Sequence, residues 1–205
     1  MGTLSSPPPY TNRGLPARFG SYSRQAMPRA GRDERAWVRG AQAGSASDLE
    51  ALFRSHWPRA YRAAYLVVHD RTAAEDIAQE AFLAAMRGLD SFDRRRPFGP
   101  WLHRIVVNRA IDWARARALR REVGDEALAD APARRDPPPR ALSEGTAAAL
   151  AGLSPEHRAV IVMRYLLEYT PGEIAKMLDL PRGTVNSRLR RGLDALQGTL
   201  PEEEP

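Results

Sequence analysis

Between residues 47 and 200 the apolar positions recur three or four residues apart, the spacing that lines one face of a helix. Leu49, Leu52 and Phe53 open the first stripe. Tyr61, Ala64, Tyr65 and Val68 resume it beyond Pro58, where a kink or restart is expected. Ser47 and Glu50 have the spacing of a capping box at its start, and Thr72 and Glu75 repeat that spacing after the turn His69-Asp70-Arg71. The next helix should bury Ile77, Ala81, Phe82, Ala85 and Met86 and show Asp76, Gln79, Glu80 and Arg87 outward, with Gly88 as its stop. After a loop over residues 89–99, Pro100 should begin a long helix carrying Trp101, Leu102, Ile105, Val106, Ile111 and Trp113. Arg104, Arg109, Arg115, Arg117, Arg120 and Arg121 lie along the same helix.

The pattern resumes near Ser143. A helix through Leu150 leads to Ser154-Pro155, a cap followed by proline at the first helical position, and then to Val160, Ile161 and Leu167. Thr170, Pro171 and Glu173 repeat that N-terminal signature, now with a full capping box, and Ile174, Ala175 and Leu178 give the short helix one apolar face. Asp179-Leu180-Pro181 breaks it. In the following helix Val185, Leu189, Leu193 and Leu196 make a buried stripe, and Arg182, Thr184, Asn186, Ser187, Arg190 and Arg191 lie off it. A short helix, a turn and a basic, hydroxyl-bearing second helix form a helix-turn-helix, whose second helix enters a DNA major groove.

Charge agrees with a phosphate-rich partner. The chain of 205 residues has a formal net charge of +6 and a pI of about 10.2. Residues 1–45 show no sustained period, and their seven arginines against Asp33 and Glu34 leave +5, which reads as a solvated, disordered extension. Residues 122–143, with Pro137-Pro138-Pro139, read as a flexible linker with a stiff patch. The expected architecture is all-α: two small helical domains, 46–121 and 144–200, the second a helix-turn-helix, followed by an acidic tail at 201–205.

With no cysteine there is no disulfide, thiol nucleophile or zinc finger. No apolar run reaches membrane-span length and no signal peptide opens the chain, so a cytoplasmic location is expected. His56, His69, His103 and His157 are scattered outside any metal-ligand motif, and no glycine-rich phosphate cradle occurs. Asp76 and Glu80 share a helix face but lack a third convergent group, so a partner-binding face fits them better than an acid–base pair. No catalytic residue, metal, cofactor or small-molecule substrate is expected.

The loop before the long helix is chemically suggestive. Phe92 and Phe98 flank Arg94, Arg95 and Arg96, and aromatics beside arginines can clamp unpaired bases. The same rings can instead close a helical core; that reading suits Trp101 better, and Phe92 fits either.

Three segments in order carry a family resemblance: Asp76-Ile-Ala-Gln79-Glu80-Ala-Phe82, then Phe98-x-x-Trp101-Leu102-x-Arg104-Ile105-x-x-Asn108, then Gly183-Thr184-Val185-x-Ser187-Arg188-Leu189. Together they resemble the extracytoplasmic-function class of bacterial RNA polymerase sigma factors, over about residues 47–200. The resemblance implies a protein without chemistry of its own that binds core RNA polymerase and directs it to promoters. It implies that Asp76, Gln79, Glu80 and Phe82 bind core polymerase. It further implies that Phe92, Arg94, Arg95, Arg96, Phe98, Asn108 and Arg109 meet the single-stranded −10 element. Arg182, Thr184, Asn186, Ser187, Arg188, Arg190 and Arg191 would read the duplex −35 element. A separate anti-sigma factor is the implied regulator. The arginine-rich loop bracketed by Pro97 and Pro100 departs from the family pattern, so its base preference does not carry over. Two other classes remain: a stand-alone helix-turn-helix regulator, which has no need of the Asp76–Phe82 motif, and a sigma mimic that titrates an anti-sigma factor, which has no need of an intact loop and recognition helix.

Overall fold

A computed structural model describes residues 30–122 and 144–197. The described residues are helical, with no strand among them: α1 (Ala30–Gln42), α2 (Ala46–Val68), α3 (Arg71–Gly88), α4 (Phe98–Glu122), α5 (Glu144–Ala151), α6 (Pro155–Ile161), α7 (Pro171–Leu178) and α8 (Arg182–Gln197). Residues 1–29, the expected linker beyond Glu122 and the acidic tail lie outside the described residues.

The first correction concerns residues 30–42, expected within a disordered extension; they form α1. Val38 is buried, and Trp37 and Ala41 pack beside it on the core. Gly44, at φ 87°, then turns the chain so that Ser45 rather than Ser47 is the extended residue before α2. Its Oγ accepts from Asp48 N at 3.3 Å. α2 continues through Pro58 without a break. Pro58 and Arg54 face solvent, where water can satisfy the carbonyl left without a donor.

His69, in the left-handed region at φ 53°, ends α2, and its amide donates to the Tyr65 carbonyl. That leaves Asp70 as the extended residue, so its carboxylate caps α3 through Ala73 N at 3.0 Å, in place of the expected Thr72–Glu75 box. Arg117 of α4 donates to the same carboxylate at 2.6 Å. Burial pushes the Asp70 carboxyl up, but the Ala73 amide and Arg117 outweigh it and hold the pKa below its usual value. α3 stops at Gly88 as expected, while α4 begins at Phe98, two residues before Pro100.

In the C-terminal half, Ser154 caps α6 with Pro155 as its first residue. The helix widens into a π turn over residues 162–166. Thr170 and Glu173 make both bonds of the capping box on α7: Thr170 N donates to Glu173 Oε2 at 2.8 Å, and Glu173 N donates to Thr170 Oγ1 at 3.3 Å.

The two helical units pack on one another, α6 lying against α2 and α4, and α7 against α4. Units this small have marginal cores when isolated, and the shared core relieves both. Arg115 donates to Glu156 at 2.6 Å, Arg59 to the Leu166 carbonyl at 3.3 Å, and His103 Nδ1 lies 2.7 Å from the Tyr169 hydroxyl. His103 is buried and its Nε2 finds no hydrogen-bond partner.

Two histidines predict a pH-sensitive junction. Burial, then the neighbouring His56 and Arg59, push His103 down to about 3, against the opposing pull of Glu34. Burial and the charge of Arg158 push His69 down to about 4. Both imidazoles are neutral in the packed state, whereas hydration on separation returns them towards 6.5. Packing is therefore fully favoured above pH 6.5 and weakens as the pH falls towards those depressed values. At pH 5 each histidine hydrated on opening shifts the balance by about 2 kcal/mol. Small-angle scattering should give a larger radius of gyration at pH 5 than at pH 7.5, and His103→Gln should blunt the change. An identical radius at both values would rule this coupling out.

Candidate nucleic-acid interface

The helix-turn-helix forms as its sequence dictates. Asp179, at φ 53°, ends α7, and Leu180 N closes the turn on the Ala175 carbonyl at 2.9 Å. The Pro181 carbonyl accepts from Thr184 N and Val185 N and so launches α8. Val185, Leu189 and Leu196 are buried, which fixes the rotation of α8. The Gly192 backbone sits against α6, where a Cβ would come within 2.7 Å of Ile161 Cδ1. This rotation exposes Arg182, Arg190 and Arg191 and leaves Thr184, Asn186 and Ser187 half-buried along the edge. Ser187 Oγ donates to the Thr184 carbonyl, so that hydroxyl has only its lone pairs left for a base. Arg188 is half-buried, and its charge bears on Glu156 and His157 of α6. It therefore faces towards α6, and the charge of Arg191 also bears on His157.

The arginine loop is built differently from the sequence expectation. Phe98 is 3% exposed and Phe92 9%, so both rings belong to the core rather than to a base-binding surface. They pack on Trp101: Phe92 stacks at 4.6 Å between centroids, and Phe98 meets it edge-on at 5.7 Å. A short connection between α3 and α4 has to fold its apolar residues over the open end of the helix pair, which removes them from solvent. The exposed part is Arg94, Arg95, Arg96 and Pro97. Asp93 shapes this tip: its carboxylate accepts from Arg95 N at 3.0 Å and Arg95 Nε at 2.9 Å, and its carbonyl accepts from Arg96 N. Arg95 holds the Asp93 carboxyl below its usual value. Arg95 is thus partnered within the loop, and Arg94 and Arg96 carry its outward charge. Asn108 and Arg109 are half-buried on α4, and Arg109 pairs with Glu80 of α3 at 2.5 Å. The polymerase and −10 groups expected from sequence therefore adjoin across the α3–α4 seam.

On α3, Asp76, Gln79 and Glu80 are exposed as expected, but Phe82 is 5% exposed and packs against Phe53 and Trp57. It supports the face from below instead of presenting it. Met86, expected inside, is 43% exposed. Leu83 is 51% exposed and Phe53 41%. Residues 76, 79, 80, 83 and 86 follow the three-and-four spacing of one helix face, so an acidic end runs into an apolar one. The apolar arc of α3, which spans Ile77, Ala81, Phe82, Leu83, Ala85 and Met86, is wider than one core-facing stripe, and that excess was the available signal.

A helix-turn-helix with a basic exposed edge and a second helical unit bearing an arginine-tipped loop define a two-surface DNA-reading protein. The sigma-70 region 2 family model matches residues 52–120, and the sigma-70 region 4 model matches residues 149–198. The ECF RNA polymerase sigma factor SigW of Bacillus subtilis is 37% identical over 153 residues, which is 68% of this chain and 82% of SigW. SigL of Mycobacterium tuberculosis is 36% identical over 169 residues, 80% of this chain and 96% of SigL. The solved structure of CnrH in complex with the cytosolic domain of CnrY superposes with a TM-score of 0.61 at 28% identity, covering 84% of this chain and 99% of CnrH. The chain belongs to the ECF RNA polymerase sigma factors of the sigma-70 family, and it directs promoter-specific initiation by RNA polymerase. None of the described helices is long and apolar enough to cross a membrane.

Proposed function

We propose that this sigma factor reads the −35 element with the exposed edge of α8 and the −10 strand with the loop before α4, while the outer face of α3 holds core polymerase. It lends specificity and does no bond chemistry itself; the polymerase, in the cytoplasm, supplies the catalysis. The observation that carries the reading is the rotation of α8: burial of Val185, Leu189 and Leu196 presents Arg182, Arg190 and Arg191 together to solvent. Residues near the N-terminal end of such a helix meet bases and later ones meet phosphates. Arg182, Thr184, Asn186 and Ser187 are therefore assigned chiefly to bases, and Arg190 and Arg191 chiefly to phosphates. Arg94 and Arg96 are assigned to the −10 strand beside Asn108 and Arg109, with Phe92 and Phe98 as the buried support of the loop.

By likeness to CnrH, solved with the cytosolic domain of CnrY, a separate anti-sigma factor is the proposed regulator. The reading is tested by adding the full chain to core polymerase with a genomic promoter library and sequencing the transcripts. Enrichment of a two-element promoter supports it. Tight, specific promoter binding without polymerase would point instead to a stand-alone regulator.

At finer resolution, Arg191→Ala should weaken binding by the holoenzyme evenly across sequences and lower the salt slope by about 0.9, one phosphate contact. Arg182→Ala should relax preference at particular −35 positions, since an arginine–guanine contact contributes about 1–3 kcal/mol of discrimination. Binding titrations at several salt concentrations distinguish the two, and an unchanged −35 preference in Arg182→Ala would remove that residue from the reading face.

A further inference from the structure

α1 lies before the residues matched by the region 2 family model, which begin at Leu52. Its inward face is more than apolar. Glu34, Val38 and Gln42 fall four apart, and each is used. Val38 anchors the helix in the core. Gln42 Nε2 donates to the Leu89 carbonyl at 2.9 Å and to the Phe92 carbonyl at 3.0 Å. Glu34 Oε1 accepts from Phe98 N at 2.7 Å, and its other oxygen lies 3.4 Å from His56 Nε2. Burial pushes the Glu34 carboxyl up, yet neighbouring His56 and the Phe98 and Gly99 amides outweigh it and hold the group ionised.

These bonds fall at the two ends of one loop. A helix leaves its last carbonyls and first amides without partners, and local side chains usually supply them. At the departing end Ser91 Oγ reaches the Gly88 carbonyl at 2.9 Å and Phe92 N the Leu89 carbonyl at 3.0 Å, but the Phe92 carbonyl and, at the arriving end, the Phe98 amide are met by side chains of α1. α3 runs into a short 3₁₀ turn over Leu89–Ser91, with Leu89 in right-handed helical conformation and no glycine reversal. α4 is preceded by Arg96 and Pro97, neither of which is an N-capping residue. Gln42 bridges the Leu89 and Phe92 carbonyls at the departing end from a distance, and Glu34 caps the arriving end, where a carboxylate also complements the helix dipole. Between those clamps stand Arg94 and Arg96.

We propose that α1 is a positioning element for −10 recognition: Gln42 and Glu34 hold the two ends of the Arg94–Arg96 loop at a fixed separation, and so set its base preference and its efficiency in strand capture. Neither residue touches DNA. The inference rests on the assignment of that loop to the −10 strand.

The test uses holoenzyme assembled from the full chain and core polymerase. Its probe is a randomised pool of single-stranded oligonucleotides spanning the −10 element, with permanganate footprinting of duplex promoters alongside. Gln42→Glu is isosteric but turns a double donor into a carboxylate facing two carbonyl oxygens. It should leave polymerase affinity and −35 duplex binding within about twofold, while affinity for the preferred −10 strand falls about tenfold and the base profile flattens. Glu34→Ala should act in the same direction, and Glu34→Gln, which keeps an acceptor for Phe98 N–H, should restore the parental profile. That graded pair decides the matter if Gln42→Glu fails to fold. Arg94→Ala with Arg96→Ala serves as the loop control. If the control shifts the −10 profile while Gln42→Glu and Glu34→Ala match the parent, α1 has no positioning role. If the control also matches the parent, the loop assignment itself falls and takes the inference with it.

Discussion

Alanine at Phe98 is expected to lower the stability of the folded chain by about 3–5 kcal/mol, the range for removing a buried aromatic ring. Phe98 is 3% exposed and is enclosed by Phe92, Trp101 and His56, with ring centroids 6.0, 5.7 and 5.2 Å away. Deleting it leaves a cavity beneath the N-terminus of α4 and loosens the amide that Glu34 accepts. At this chain length each kcal/mol moves the thermal midpoint by about 2–4 °C, so a drop of roughly 6–20 °C is expected. Phe92→Ala should cost less, because that ring is stacked on Trp101 at the edge of the cluster. Thermal unfolding followed by circular dichroism measures both. A base-stacking ring on the surface would behave the other way, with an unchanged midpoint and a selective loss of promoter opening; that pattern in Phe98→Ala would overturn the core assignment.

The difference between these outcomes marks where sequence periodicity stops being informative. It located Val185, Leu189 and Leu196 correctly because a helix stripe is a local pattern with a fixed spacing. The Thr170–Glu173 box was legible for the same reason: both partners lie within one turn. Phe92 and Phe98 sit in a loop, where no period says which way a ring points, and only the proximity of Trp101 decides it. α1 carries no legible stripe, because its few large apolar residues, Trp37 and Val38, stand with Ala41 among arginines and glycines. Its polar contacts reach Leu89, Phe92 and Phe98, some fifty or sixty residues away. The turn at His69-Asp70-Arg71 is legible, but nothing local says that His69 takes the left-handed conformation and so leaves Asp70, rather than Thr72, as the cap. The junction of His103 with Tyr169 joins residues of the two expected domains, and nothing local to either announces it.

The second large effect concerns the outer face of α3. Asp76→Arg combined with Glu80→Arg should weaken binding to core polymerase at least a hundredfold, because like charges brought together across an interface cost several kcal/mol. The fold should tolerate the change. Both side chains are exposed, and the one ion pair removed, Glu80 with Arg109, lies on the surface, where such pairs contribute about 0–1 kcal/mol. Helicity and the thermal midpoint are therefore expected to stay near the parent's, in contrast with Phe98→Ala. The two positions are separable. Glu80→Arg places a second cation beside Arg109 and so should disturb the proposed −10 side of the seam as well, whereas Asp76→Arg should act on the proposed polymerase face alone. Leu83 and Met86, exposed on the same face, extend it into an apolar patch, and Leu83→Ala should weaken the same interaction without altering charge. Pull-down with core polymerase, followed by titration of the holoenzyme, measures all four variants. Undiminished binding by the double variant would exclude this face from the polymerase interface. A loss seen with Leu83→Ala but not with Asp76→Arg would move the contact to the apolar end of α3.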